Sequence, residues 1–180
     1  AVRREGRLAL ALVNGGMYGP DHGPVGLFMA SGEERHAINL RDGEGNFHLK
    51  PNGVFWLDTA GLAHVTVSEA FPAHLYRARY ATQSGPMLLI DGDLHPELRP
   101  ESTNKLVRNG VGVSADGKTV QLVISNGNVR FHDLATLFRD ELGCDDALFL
   151  DASVSNMWTR GSVPTSRYGA VIAVTQKVAR

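Results

Sequence analysis

The chain is 180 residues long and 43% hydrophobic, with 18 Lys and Arg against 19 Asp and Glu. That length supports one sizeable core, so the expectation is a single domain over residues 1–180. A formal net charge of −1 supplies no global field toward nucleic acid or an anionic membrane surface, and any anion site must be built locally.

Cys144 is the lone cysteine, which rules out an intrachain disulfide and leaves the compartment open. The apolar runs Leu8 to Val13, Met87 to Ile90 and Val120 to Ile124 are far shorter than the ~20 residues a membrane helix needs, so no membrane span is expected. No charged-then-apolar leader opens the numbered chain, and its start at Ala1 suggests a processed or N-terminally trimmed product.

In chain order, Leu8 to Val13 leads into Asn14-Gly15-Gly16-Met17-Tyr18. Asp42-Gly43, Asp116-Gly117 and Asn126-Gly127 are turn dipeptides that tolerate the positive φ of tight hairpins. From Ser68 to Tyr80 neither strand nor helix periodicity holds, because Pro72 interrupts it; the reading there is mixed. In Asp91-Gly92-Asp93-Leu94-His95-Pro96-Glu97 an extended chain would point Asp91, Asp93, His95 and Glu97 the same way, which could chelate calcium near Asp91 and Asp93. The glycine placement of an EF-hand loop is missing, so a hairpin with a solvated polar face is the preferred reading.

Gly110 to Val113 and Val120 to Ile124 flank Asp116-Gly117 and are predicted to pair antiparallel. After Asp133, the spacing of Leu134, Leu137, Phe138 and Leu142 predicts an amphipathic helix over about Asp133 to Leu142, capped by Asp133 and ended at Gly143. Ala147 to Leu150 should return to the sheet as a strand that ends on a carboxylate, Asp151. The fold class expected is α+β: a twisted, largely antiparallel sheet with this helix on one face and few others.

The chain has no Walker loop, His-Glu-x-x-His, Cys-x-x-Cys pair or Gly-x-Ser-x-Gly elbow. Its seven histidines show no close ligand spacing, and no metal site is assigned to them. More distinctive are four stretches at the ends of apolar runs: Asn14 to Tyr18, Gln83-Ser84-Gly85-Pro86-Met87, Arg108-Asn109-Gly110-Val111-Gly112-Val113 and Leu150-Asp151-Ala152-Ser153-Val154-Ser155-Asn156-Met157. Such placements bring small residues, amides and a charge to strand ends, where backbone N–H groups can approach an anion and Arg108 adds a cation. Singly, each has an ordinary account in turns, hydroxyl caps or surface ion pairs.

With Pro51-Asn52-Gly53-Val54-Phe55 they form five motifs in an order that resembles the phosphodiester glycosidase family, over roughly Val13 to Met157. The resemblance implies hydrolysis of a sugar-1-phosphodiester to free sugar and a phosphomonoester, and an exported, periplasmic or extracellular location. The partner it implies is a phosphorylated sugar or glycan, with no cofactor. Carried onto this chain, it makes Asp151 and Arg108 the candidate catalytic residues, and Asn14, Gly15, Asn52, Ser84, Gly85, Asn109 and Ser155 the candidate substrate-binding set. A phosphomonoester leaves more readily than a sugar alkoxide, so such a site needs charge neutralisation on the phosphate more than a strong general acid; Arg108 suits that role, and Asp151 suits a water or a cationic sugar carbon. One departure stands out: Ala152 and Ser153 follow the motif aspartate where the family has glycines. That change favours an alternative reading as a non-catalytic module binding phosphorylated cell-envelope glycans.

Overall fold

The computed structural model describes residues 7–152, 156–159 and 169–177. Strand β1 (Arg7–Asn14) lies between β12 (Met157–Thr159) and β13 (Val171–Lys177) in a three-stranded sheet. A second sheet holds β2 (Phe28–Ala30), β3 (Glu33–His36), β4 (Gly53–Asp58), β5 (Ala63–Val67) and β6 (Ala78–Ser84) in the order β3-β2-β6-β4-β5. A third holds β7 (Met87–Ile90), β8 (Asp93–Leu94), β9 (Asn109–Val113), β10 (Val120–Ile124) and β11 (Asp146–Asp151) in the order β10-β9-β11-β7-β8. Every strand pair described is antiparallel. The α+β class holds, with the strands divided among three sheets. Period-two patterning reports which face of a strand is buried and not which strand lies beside it.

The two five-stranded sheets pack face to face. Phe55, Ala63 and Val65 on one meet Met87, Val111, Val113, Leu148 and Leu150 on the other. Alternate residues then cover the outer faces: Val54 and Trp56 pack with Phe71 on one side, and Ala147 and Phe149 pack with the helix on the other. Strand β11 is therefore apolar on both faces, which is why Ala147 to Leu150 reads as a continuous run.

Helix α1 (Phe131–Thr136) widens into a π-type turn over Leu137–Glu141, and the chain leaves it at Gly143 with φ 60°. Its start lies two residues before the predicted one. Arg130 is the N-cap, and Asp133 sits at the third helical position, accepting the Arg130 backbone N–H at 3.0 Å. Phe131 is drawn into the helix by edge-to-face packing on Phe149, 4.7 Å between ring centres. Leu134 and Phe138 are buried, and Leu137 is half-buried against the same core.

Asp116-Gly117 turns the β9–β10 hairpin, with Gly117 at φ 69°. Neither Gly43 nor Gly127 adopts positive φ, so those dipeptides bend the chain without closing a tight hairpin. Asp91 (φ 50°) and Gly92 (φ 82°) close the β7–β8 hairpin. Its polar face is not wholly solvated, since His95 is only 1% exposed and accepts the Glu97 N–H at 3.2 Å. Burial pushes that imidazole below its usual range. Between Ser68 and Tyr80 lies a 3-10 turn, Phe71–Arg77, with Pro72 in its first turn, followed by β6.

Candidate functional site

Three strand ends meet at the side chain of Asn14. Its amide oxygen accepts a hydrogen bond from Asn109 Nδ2 at 2.9 Å, 95 residues away in sequence. It accepts a second from the Asn156 backbone N–H at 3.1 Å. Asn109 Nδ2 also reaches the Asn14 carbonyl at 3.2 Å, while Asn109 Oδ1 accepts the Asp151 N–H at 2.7 Å. The ends of β1 and β11 and the start of β9 are thus tied by two amide side chains, both fully buried. An asparagine suits such a junction because one side chain both donates and accepts.

Asp151 ends β11 beside a register shift relative to β9. Its carboxylate accepts the Ala152 N–H at 2.6 Å. Burial raises the Asp151 pKa above the ordinary carboxylate range, and the Ala152 N–H and the Asn14 side chain work against that rise. A half-buried carboxyl held near a strand end, with a raised pKa, has the character of a candidate acid or base group.

Arg108 precedes Asn109 in the chain, yet its side chain goes under the helix. Nε donates to the Val129 carbonyl at 2.9 Å, and Nη2 donates to the Asn104 side-chain oxygen at 2.9 Å and to its carbonyl at 3.3 Å. The guanidinium carbon lies 3.6 Å from the Phe131 ring centre and 5.5 Å from that of Phe149. The residue is fully buried, no carboxylate pairs with it among the described residues, and burial lowers its pKa to about 10. Nη1 is buried without a hydrogen-bond partner. A buried cation held by carbonyls and rings stays charged at neutral pH and lends a positive field to its surroundings.

The other candidates separate into a second group. Ser84 Oγ donates to the Leu150 carbonyl at 2.8 Å, which ties β6 to β11 one residue before Asp151. Asn52 Nδ2 donates to the Phe47 carbonyl at 2.7 Å. A Cβ on Gly85 would lie 2.6 Å from that of Asn52, so Gly85 permits the close approach of the two segments. Ser84 and Asn52 are fully buried and cross-link backbone here. Gly15 donates its N–H to the Ala170 carbonyl at 2.9 Å, next to the Asn14 junction. Ser155 lies outside the described residues. Gly110 and Gly112 serve packing: a Cβ on Gly112 would lie 2.6 Å from both Phe138 Cδ1 and Cys144 Sγ.

Gln83, within a quoted motif, and Thr82, just before it, carry structural work that residue type alone does not announce. Thr82 Oγ1 accepts the Gly16 N–H at 3.0 Å. Gln83 uses its whole amide, accepting from the Leu27 and Asn39 backbones and donating to the Asn39 carbonyl and Ser68. Among the described residues no group of three or more His, Cys, Asp or Glu is gathered to hold a metal ion, at the Asp91–Asp93 turn or elsewhere. No described helix is long and apolar enough to cross a membrane.

A half-buried aspartate at a junction of antiparallel strand ends, in an α+β frame, defines a protein whose candidate chemistry sits where strands from separate sheets meet. The phosphodiester glycosidase family model matches residues 8–178, and the chain belongs to that family. It is 33% identical over 177 residues to the uncharacterized protein YigE of Escherichia coli (strain K12), covering 97% of this chain and 67% of that one. In fold it is similar to the zebrafish N-acetylglucosamine-1-phosphodiester alpha-N-acetylglucosaminidase catalytic domain auto-inhibited by its pro-peptide. That match has a TM-score of 0.64 at 15% identity and covers 95% of this chain and 62% of the zebrafish chain. A hypothetical protein from Synechocystis matches with a TM-score of 0.51 at 12% identity, covering 93% of this chain and 51% of its own.

Proposed function

We propose that this protein hydrolyses a sugar-1-phosphodiester, releasing free sugar and a phosphomonoester. The observation that carries the reading is the Asn14–Asn109–Asp151 junction, with its carboxyl raised by burial, in a chain of this family. Water attacks the anomeric carbon, the bond from that carbon to the phosphate oxygen breaks, and the phosphate leaves with the electron pair. The water proton passes to a base. Asp151 takes that proton or stabilises the cationic sugar carbon.

Arg108, fully buried with Nη1 itself closed off from solvent, contributes to the departing phosphate through its positive field rather than by direct contact. Asn109 holds the Asp151 backbone and is itself tied to Asn14, while the neighbouring Gly15 N–H is bonded to the Ala170 carbonyl. Ser84, Asn52 and Gly85 hold the strands behind the site, and an exported location goes with the same reading. The test is sugar release from a phosphodiester-linked N-acetylglucosamine by wild type and by Asp151→Asn. Loss of about two decades or more in the variant is expected for a residue that acts on the transition state.

A second reading, a non-catalytic module binding phosphorylated cell-envelope glycans, is favoured by Ala152 in the place of a family glycine, its N–H closed onto Asp151. Wild type that binds phosphorylated sugars yet releases no sugar from several such diesters would establish it.

A further inference from the structure

Beside Gly15 a cavity of about 570 Å³ opens between the three-stranded sheet and the sheet of β2, β4 and β6. That volume falls within the roughly 300–1,000 Å³ typical of small-molecule sites. Met29, Phe55, Leu57 and Ile172 contribute apolar lining, and Arg7 and Arg79 contribute charge. Among the described residues no Asp or Glu lines it. Neither arginine makes an ion pair with a carboxylate among the described residues. Arg7 is held in place by donating from Nε to Thr175 Oγ1 at 2.7 Å, across the β1–β13 pair, which leaves its two terminal nitrogens for another acceptor. The Arg79 guanidinium carbon lies 5.7 Å from the Tyr80 ring centre.

An apolar floor whose described lining carries two cations and no carboxylate is complementary to a ligand with a hydrocarbon body and an anionic head. We propose that this groove binds an organic phosphate bearing an apolar alkyl or aryl group. It meets the Asn14 junction at Gly15, so its place in the reaction is the leaving-group side of the diester. That placement rests on the hydrolase reading, whereas the binding itself does not. The substrate class follows: a sugar joined through phosphate to an apolar group rather than to a second sugar.

The probe is octyl phosphate, kept below its micelle threshold and titrated calorimetrically into the protein beside inorganic phosphate and octyl glucoside. Octyl phosphate is expected to bind at least about tenfold more tightly than either control. Arg79→Glu, which reverses a wall charge, and Ala173→Trp, which fills the groove from an exposed position, should each weaken it about tenfold or more with the melting temperature unchanged. Asp151→Asn should leave it unaltered. Equal binding of octyl glucoside or of inorganic phosphate, or indifference to both groove variants, overturns the proposal. Sugar release without octyl phosphate binding sinks the groove alone. Octyl phosphate binding without sugar release sinks the hydrolase reading and leaves the groove standing.

Discussion

Asn109 Nδ2 lies 2.9 Å from Asn14 Oδ1, and through that contact a side chain at the start of β9 fixes the end of β1 while its own oxygen holds the backbone of Asp151. Removing the Asn109 amide takes the acceptor from the Asp151 N–H and one of the two hydrogen bonds from the buried Asn14 oxygen. Asn109→Ala is therefore expected to cost about 2–4 kcal/mol of stability. Denaturant unfolding checks it, and a loss below about 0.5 kcal/mol would show that the junction is not structurally coupled.

Arg108 is expected to be essential to the fold as well as to the site. Arg108→Lys keeps the charge but cannot reproduce the fork onto Val129 and Asn104 or the stack on Phe131. It should lower stability by about 2–4 kcal/mol, and Arg108→Ala by at least as much. A variant with wild-type melting behaviour would contradict this. The motif order makes Arg108 a cation suited to the departing phosphate, and its burial changes what its removal should do.

The pH dependence of Asp151 has a definite sign. Folding raises its pKa through burial, so the native state holds that proton more tightly than the unfolded chain. Its contribution to stability is greatest when protonated and is lost as pH rises from the unfolded carboxylate value through the folded one. Asp151→Asn removes the buried charge and retains an oxygen for the Ala152 N–H. It should be at least as stable as wild type at neutral pH while losing activity. Calorimetric melting from acidic to neutral pH tests this, the variant's advantage growing as pH rises; a variant less stable than wild type at neutral pH contradicts it.

Two glycines give opposite expectations. Gly112→Ala sets a Cβ 2.6 Å from Phe138 and Cys144, and such overpacking should cost about 1–3 kcal/mol. A Cβ on Gly127 would meet no atom within 4 Å, and its φ is not positive; Gly127→Ala should stay within about 0.5 kcal/mol of wild type. Comparing the two by thermal unfolding separates a packing glycine from a turn residue that tolerates change.

Much of the frame was legible in the chain. The Asp116-Gly117 hairpin, the helix with Leu134 and Phe138 inward, and the strand ending at Asp151 all follow from local periodicity and turn chemistry, which short-range physics decides. Asn14, Asn109 and Asp151 stood in the motif order and come together in space. What escaped was direction. Nothing local says that Arg108 turns toward Phe131 while Asn109 turns toward Asn14, that Gly112 makes room for Phe138, or that His95 leaves a polar hairpin for the interior. Those outcomes depend on which sheets stack, a matter of long-range pairing.

The most direct test of the central claim is hydrolysis of a phosphodiester-linked N-acetylglucosamine in water enriched in heavy oxygen, with mass analysis of both products. Attack at the sugar carbon predicts the label in the released sugar and none in the phosphomonoester, with Asp151→Asn reducing that release by about two decades or more. Label in the phosphomonoester would mean that the phosphorus–oxygen bond is cut instead, and wild-type turnover in Asp151→Asn would remove the carboxylate from the chemistry; either result contradicts the account.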